Sequence, residues 1–161
     1  MGRKAAVLAL VALLAGCGYR AGYLVREDIH KVAVPVFAND TFYRNFEIEL
    51  TQAVVNRIEN ETPYELADSS VADAILEGRI TSYRFTVLAE DRKNRTTQAE
   101  VTVTVEVTLR NARNGAVLSK NTIREGDSFS TFADETQAGT TSFVFRRTAQ
   151  RIVEKSFERD W

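Results

Sequence analysis

The chain has 161 residues, with 21 Lys and Arg against 22 Asp and Glu and a formal charge of −1. That length suits one domain with a real hydrophobic core. The near-balance of charge argues against a surface built for nucleic acid. A single cysteine excludes an internal disulfide, so stability must come from packing.

Arg3 and Lys4 form a positive start, and Ala5 to Ala15 is an apolar run. The run is too short to cross a bilayer core of about 30 Å as a helix, and small residues follow it, so residues 1–16 read as a secretory signal peptide. The ending Leu14-Ala15-Gly16-Cys17 resembles the bacterial lipobox. That resemblance implies cleavage before Cys17, a diacylglycerol thioether on its sulfur and acylation of the new amine. Several acyl chains hold a protein firmly where one does so marginally. Loss of Arg3 and Lys4 leaves a net charge of about −3 on residues 17–161. By resemblance to the enteric sorting rule, Gly18 after the cysteine favours the outer membrane, facing the periplasm.

Residues 17–30 read as a tether, and residues 31–161 as one domain. Val32-Ala33-Val34-Pro35-Val36-Phe37 predicts a first strand. Pro35 donates no hydrogen bond, so it belongs at a sheet edge or at a position outside the ladder. Asn39-Asp40-Thr41 is turn chemistry. A helix is expected over 46–60, with Asn45 as N-cap and Glu47 and Glu49 at the positive end of its dipole. Phe46, Leu50, Ala53, Val54 and Ile58 make its apolar stripe, interrupted by Arg57.

Thr62-Pro63 ends that helix, and residues 64–67 suit a short strand. A long strand is expected over 74–88, where Leu76, Gly78 and Ile80 share one face before the phase slips to Tyr83, Phe85 and Val87. A one-residue slip flips every side chain, so a bulge is expected near Thr81-Ser82. Residues 90–95 form a charged hairpin tip. Ala99, Val101, Val103, Val105, Val107 and Leu109 then alternate with polar residues, the pattern of a sheet covered on one side. Asn114-Gly115 fits a two-residue type I′ turn. A returning strand over 116–129, a loop over 130–141 and a last helix over 142–159 complete the chain. That helix presents Phe145, Ala149, Ile152, Val153 and Phe157 inward, with Arg146 and Arg147 on its polar side.

Two amphipathic helices need an apolar surface, and the sheet offers one. The fold class is therefore α+β, a two-layer sandwich of four to five mostly antiparallel strands with both helices on one face. The other face, rich in Thr and Glu, is left to water or to a partner.

Catalytic chemistry has little to work with. His30 is the only histidine and reads as an exposed residue leading into the first strand, so a histidine-based metal cluster or a His-dependent triad would need implausible partners. Asp127, Asp134 and Glu135 sit on a loop with no spacing to another acid, and no Gly-rich phosphate loop occurs. No cofactor, no metal and no enzymatic activity are expected. Arg92-Lys93-Asn94-Arg95 is the compact basic group of the domain. It reads either as a solvated tip that discourages sheet aggregation or as an anion contact through Arg92, Lys93 and Arg95. Phe129 and Phe132 are expected in the core.

Several strings, taken in order, resemble the LptE family of lipopolysaccharide-assembly lipoproteins. They are Cys17-Gly18-Tyr19; Val32 to Phe42; Glu49-Leu50-Thr51-Gln52-Ala53; Ala72 to Ile80; and Asn114 to Leu118. The resemblance implies an outer-membrane lipoprotein that binds and partly plugs a large β-barrel of the LptD type and helps place lipopolysaccharide in the outer leaflet. Cys17 would be the lipid anchor, and Arg92, Lys93 and Arg95 the candidates for contact with the anionic glycolipid. The Val-Pro-Val-Phe and Ala-Asp-Ala-Ile-Leu-Glu-Gly strings also resemble curli-secretion pore proteins and lipoprotein activators of cell-wall synthases. On that alternative the protein self-assembles or regulates a cell-wall enzyme.

Overall fold

The computed structural model describes residues 26, 28–93, 95–133 and 135–158, except the side chain of Phe132. Residues 1–16, read above as a signal peptide, and Cys17 lie outside the described residues. Six strands and two long helices appear in the order β1 (Lys31–Ala33), β2 (Ala38–Asn39), α1 (Phe46–Glu61), β3 (Glu65–Leu66), β4 (Ala74–Glu90), β5 (Thr96–Asn111), β6 (Val117–Ser130) and α2 (Gln137–Phe157). The α+β sandwich read from the sequence is what forms, with one strand more than expected.

The extra strand comes from Pro35. The run 32–37 does not make one strand: β1 ends at Ala33, residues 34–37 with exposed Pro35 belong to no strand and are asked for no ladder bond there, and β2 follows at Ala38–Asn39, reaching into the stretch expected to turn. Sheet order is β3-β1-β4-β5-β6, and β2 continues alongside β4 above β1. The short strands run parallel to β4, so β1 is an interior strand rather than an edge. The long β4, β5 and β6 form an antiparallel meander. The register slips between Ile80 and Ser82, leaving Thr81 as the extra residue, which is the bulge that the phase change requires.

Every apolar residue of β5 from Ala99 to Leu109 is fully or almost fully buried. Leu50, Val54 and Ile58 of α1 and Phe145, Ile152 and Val153 of α2 complete the core above it. Phe129 joins this core, as expected. Thr51 docks α1 to the chain below: its hydroxyl donates to Glu47 O at 2.6 Å and accepts from the Phe37 N–H at 3.0 Å. Phe37 in turn lies over Gly78. A Cβ at Gly78 would stand 2.4 Å from the Phe37 ring, so only glycine admits that contact.

Three local expectations are corrected. Asn45 precedes α1 in a left-handed conformation (φ 69°) with no side-chain cap; its carbonyl accepts from the Ile48 and Glu49 N–H groups instead. The β5–β6 connection is not a type I′ turn, which needs positive φ at both central residues; only Gly115 has it (φ 71°). There Asn111 Oδ1 accepts from the Arg113 and Asn114 N–H groups, and Gly115 N–H returns to Asn111 O. Finally, α2 starts at Gln137 rather than Ser142, because Thr136 accepts from the Gly139 N–H at 3.1 Å and caps it early.

The two ends of the sandwich differ. At the base, Arg26 N–H donates to Tyr64 Oη and its guanidinium to Leu118 O, while the Tyr64 and Phe157 rings pack 4.5 Å apart. Asp73 there accepts from the His30 and Lys31 N–H groups and pairs with Arg113. Those two backbone donors, with Arg113 adding to them, hold the Asp73 carboxyl below its usual range. The N-terminal entry thus lies at one pole and the β4–β5 tip at the other.

Replacing Gly78 by Ala should force the Phe37 ring away and cost about 1–3 kcal/mol in denaturant unfolding. An unchanged unfolding midpoint would show that the ring moves freely.

Candidate functional site at the distal end

The long hairpin of β4 and β5 rises past the helices that cover the rest of the sheet. Its exposed end carries Phe85, Val87 and Leu88, which are 37%, 42% and 50% exposed. Asp91 builds the tip: its Oδ1 accepts from the Lys93 and Arg95 N–H groups at 2.8 and 3.0 Å, and its Oδ2 takes the Arg95 guanidinium at 2.6 Å. The Arg95 N–H, the Arg95 guanidinium and the Lys93 N–H together hold the Asp91 carboxyl below its ordinary value.

This divides the three predicted cations. Arg95 is neutralised locally, whereas Arg92 and Lys93 are exposed and form no ion pair among the described residues. The pair Arg146-Arg147 is not simply a solvated face. Both guanidinium groups lie 5.8 Å from the Phe143 ring, and Arg147 also meets Glu125 at 3.1 Å.

The sequence reading missed the segment before α1, which looked like a plain turn. Phe42 there is fully exposed, and Tyr43 stacks on Phe46 at 5.2 Å and leans on Tyr83 at 4.4 Å. Below them, Tyr83 Oη bonds with Thr141 Oγ1 at 2.9 Å and accepts from Gln137 Nε2 at 3.2 Å. Two adjacent aromatics inside turn chemistry were the available signal, since a turn alone needs neither.

The uncovered sheet face is mainly polar, with Ile75 and Val117 beside Arg110 at its base as apolar exceptions. Glu77, Thr108 and Lys120 lie side by side in register, as do Arg79, Glu106 and Thr122, and then Ser82, Thr104 and Arg124. His30 is exposed just before β1 and spends its backbone N–H on Asp73. Among the described residues no group of three or more His, Cys, Asp or Glu side chains could hold a metal, and no helix is long and apolar enough to cross a membrane.

The family profile described as LptE, lipopolysaccharide-assembly, matches residues 29–157. The chain belongs to the LptE family. The match spans the whole sandwich, from just before β1 to the last residue of α2. No curated protein sequence matches this LptE chain. Several solved structures share its fold. Lipoprotein B from Nitrosomonas europaea superposes with a TM-score of 0.60 at 14% identity, over 88% of this chain and 90% of its own. A PelC dodecamer from Paraburkholderia phytofirmans gives 0.58 at 18% identity, over 84% and 93%. The hypothetical protein CT253 from Chlamydia trachomatis gives 0.57 at 12% identity, over 80% and 98%. At these identities the likeness is one of fold.

Tip order should follow the Asp91 charge. A carboxyl with a depressed folded-state pKa stabilises above its ordinary value of 3.8 and loses that contribution as pH falls through the lower folded value. In an NMR titration, the Lys93 and Arg95 amide resonances should move with a midpoint below 3.8. Asp91→Asn should abolish the transition; its persistence would assign the titration to another group.

Proposed function

We propose that the protein is a non-catalytic outer-membrane lipoprotein, anchored through Cys17 and facing the periplasm, that binds and partly plugs an LptD-like β-barrel. On this reading it helps insert lipopolysaccharide into the outer leaflet. Membership of the lipopolysaccharide-assembly family supports the reading most directly. The uncovered polar face is in keeping with it, because a barrel lumen is polar and wet, and Thr and charged side chains can meet such a wall without burying apolar surface.

The distal cations supply the glycolipid contact in this proposal. Among the described residues Arg92 and Lys93 form no ion pair, and at the pole farthest from the proposed tether they are available to phosphate or carboxylate groups. Arg95 contributes by closing the tip through Asp91 rather than by offering a free charge. Phe42, Phe85 and Val87 lie toward the same pole and suit the acyl portion of an amphiphile.

The test uses the full chain, tagged and expressed in its host, then extracted in detergent. A large β-barrel should co-purify in a one-to-one complex, and mass measurement should find residues 1–16 removed and Cys17 lipidated. A homo-oligomeric ring without a barrel would favour the self-assembling alternative, and a bare thiol would overturn the anchor. Arg92→Glu with Lys93→Glu should weaken binding of purified lipopolysaccharide by about tenfold at low salt, with the difference shrinking as salt rises. Equal binding by the doubly substituted protein would remove the tip from the contact.

A further inference from the structure

The two edges of the sheet are unequal. On one side, β6 carries Lys120, Arg124 and Asp127 along its length, charged residues of the kind that blunt an edge. On the other side, β2 pairs with β4 only at Arg79 and Ile80, and the Asp40 N–H makes the last bond, to Ile80 O. Beyond that point no described strand pairs with the outer edge of β4. The free stretch Ser82–Val87 is in unbroken register with β5, from Ser82 opposite Thr104 to Val87 opposite Ala99, and a register shift bounds it at each end.

Its side chains are those of a strand awaiting a neighbour. Tyr83, Phe85 and Val87 face the helix side, where Phe85 meets Phe129 at 6.1 Å yet remains more than a third exposed. Ser82, Arg84 and Thr86 face the open side. Arg84 makes no ion pair among the described residues. Exposed apolar side chains on a regular, unpaired edge are what strand addition uses: the main chain supplies the hydrogen bonds and alternate side chains set the preference.

We infer that the outer edge of β4 over Ser82–Val87 receives an extended segment of another polypeptide, with apolar side chains on its helix-side face and acidic ones on its open face. The apolar set would extend the row formed by Tyr83, Phe85 and Val87. The acids would answer Arg84, with Arg92 and Lys93 just above.

Other occupants fit less well. Residues 17–25 reach at most about 30 Å when extended, whereas the free stretch begins about 26 Å above the base, at roughly 3.3 Å per strand residue, and continues upward. A second copy paired edge to edge would offer Arg84 another Arg84 on the open face rather than an acid, like charge against like.

Two ten-residue synthetic peptides, alternating valine with glutamate or valine with lysine, test this against the full chain in detergent. The Val-Glu peptide should bind and slow hydrogen exchange within Ser82–Val87. N-methylating alternate amides along its pairing edge should weaken binding by at least about tenfold, since the main chain carries the contact. Arg84→Glu should cut Val-Glu binding by about tenfold and create binding to Val-Lys, a gain that an unfolded variant would not show. The inference is overturned if the Val-Glu peptide does not bind, if protection falls on β6 or on the helices, or if N-methylation has no effect. It is equally overturned if Val87→Cys cross-links copy to copy while the parent chain does not.

Discussion

One constraint governs this molecule: a sheet of long strands has two faces, and the chain has helices enough to cover only one. The alternation along β5 obeys it residue by residue. Its six apolar side chains are almost wholly removed from water, while Thr102, Thr104, Glu106 and Thr108 face the other way. Burial at roughly 25 cal/mol per Å² of apolar surface makes that assignment hard to reverse, because a one-residue slip would expose the whole set. The bulge at Thr81 follows from the same demand. It lets β4 twist while its apolar residues stay on the covered side, changing their parity from even to odd numbers.

What the sequence made legible was periodic. The β5 alternation, the phase slip in β4 and the inner stripe of α2 each repeat a signal several times, and each matches the structure. Features resting on one residue or one bond were harder to read. Pro35 marked a problem in the first strand, but not that the chain would resolve it by ending the strand early and placing it inside the sheet. The turn at Asn111–Gly115 depends on the Asn111 carboxamide gathering two N–H groups, which a dipeptide pattern does not reveal. The early start of α2 depends on a single threonine cap, masked by β-branched and glycine residues with weak helix preference.

The site was legible in part. A basic cluster at a hairpin tip can be seen in the sequence, but its internal neutralisation cannot: Asp91 lies four residues before Arg95, and only the tight turn brings them to 2.6 Å. The exposed aromatics at Phe42 and Tyr43, and the unpaired edge of β4, are properties of how elements are arranged rather than of any string. An edge exists only once it is known which strands lie beside which. That is why local pattern reading recovered the layers and missed the surfaces they leave open.

The seventeen residues of β4 span about 56 Å at roughly 3.3 Å each, and Arg26 enters beside the foot of that strand. On the proposed anchoring through Cys17, the domain would be held at the foot of this strand. For a body so anchored, a grip near the far end would arrest more rotation than an equal grip close to the foot. Capture at Phe42, Phe85 or Lys93 would set the bearing of the whole domain, and the same contact at Asp73 would leave it turning.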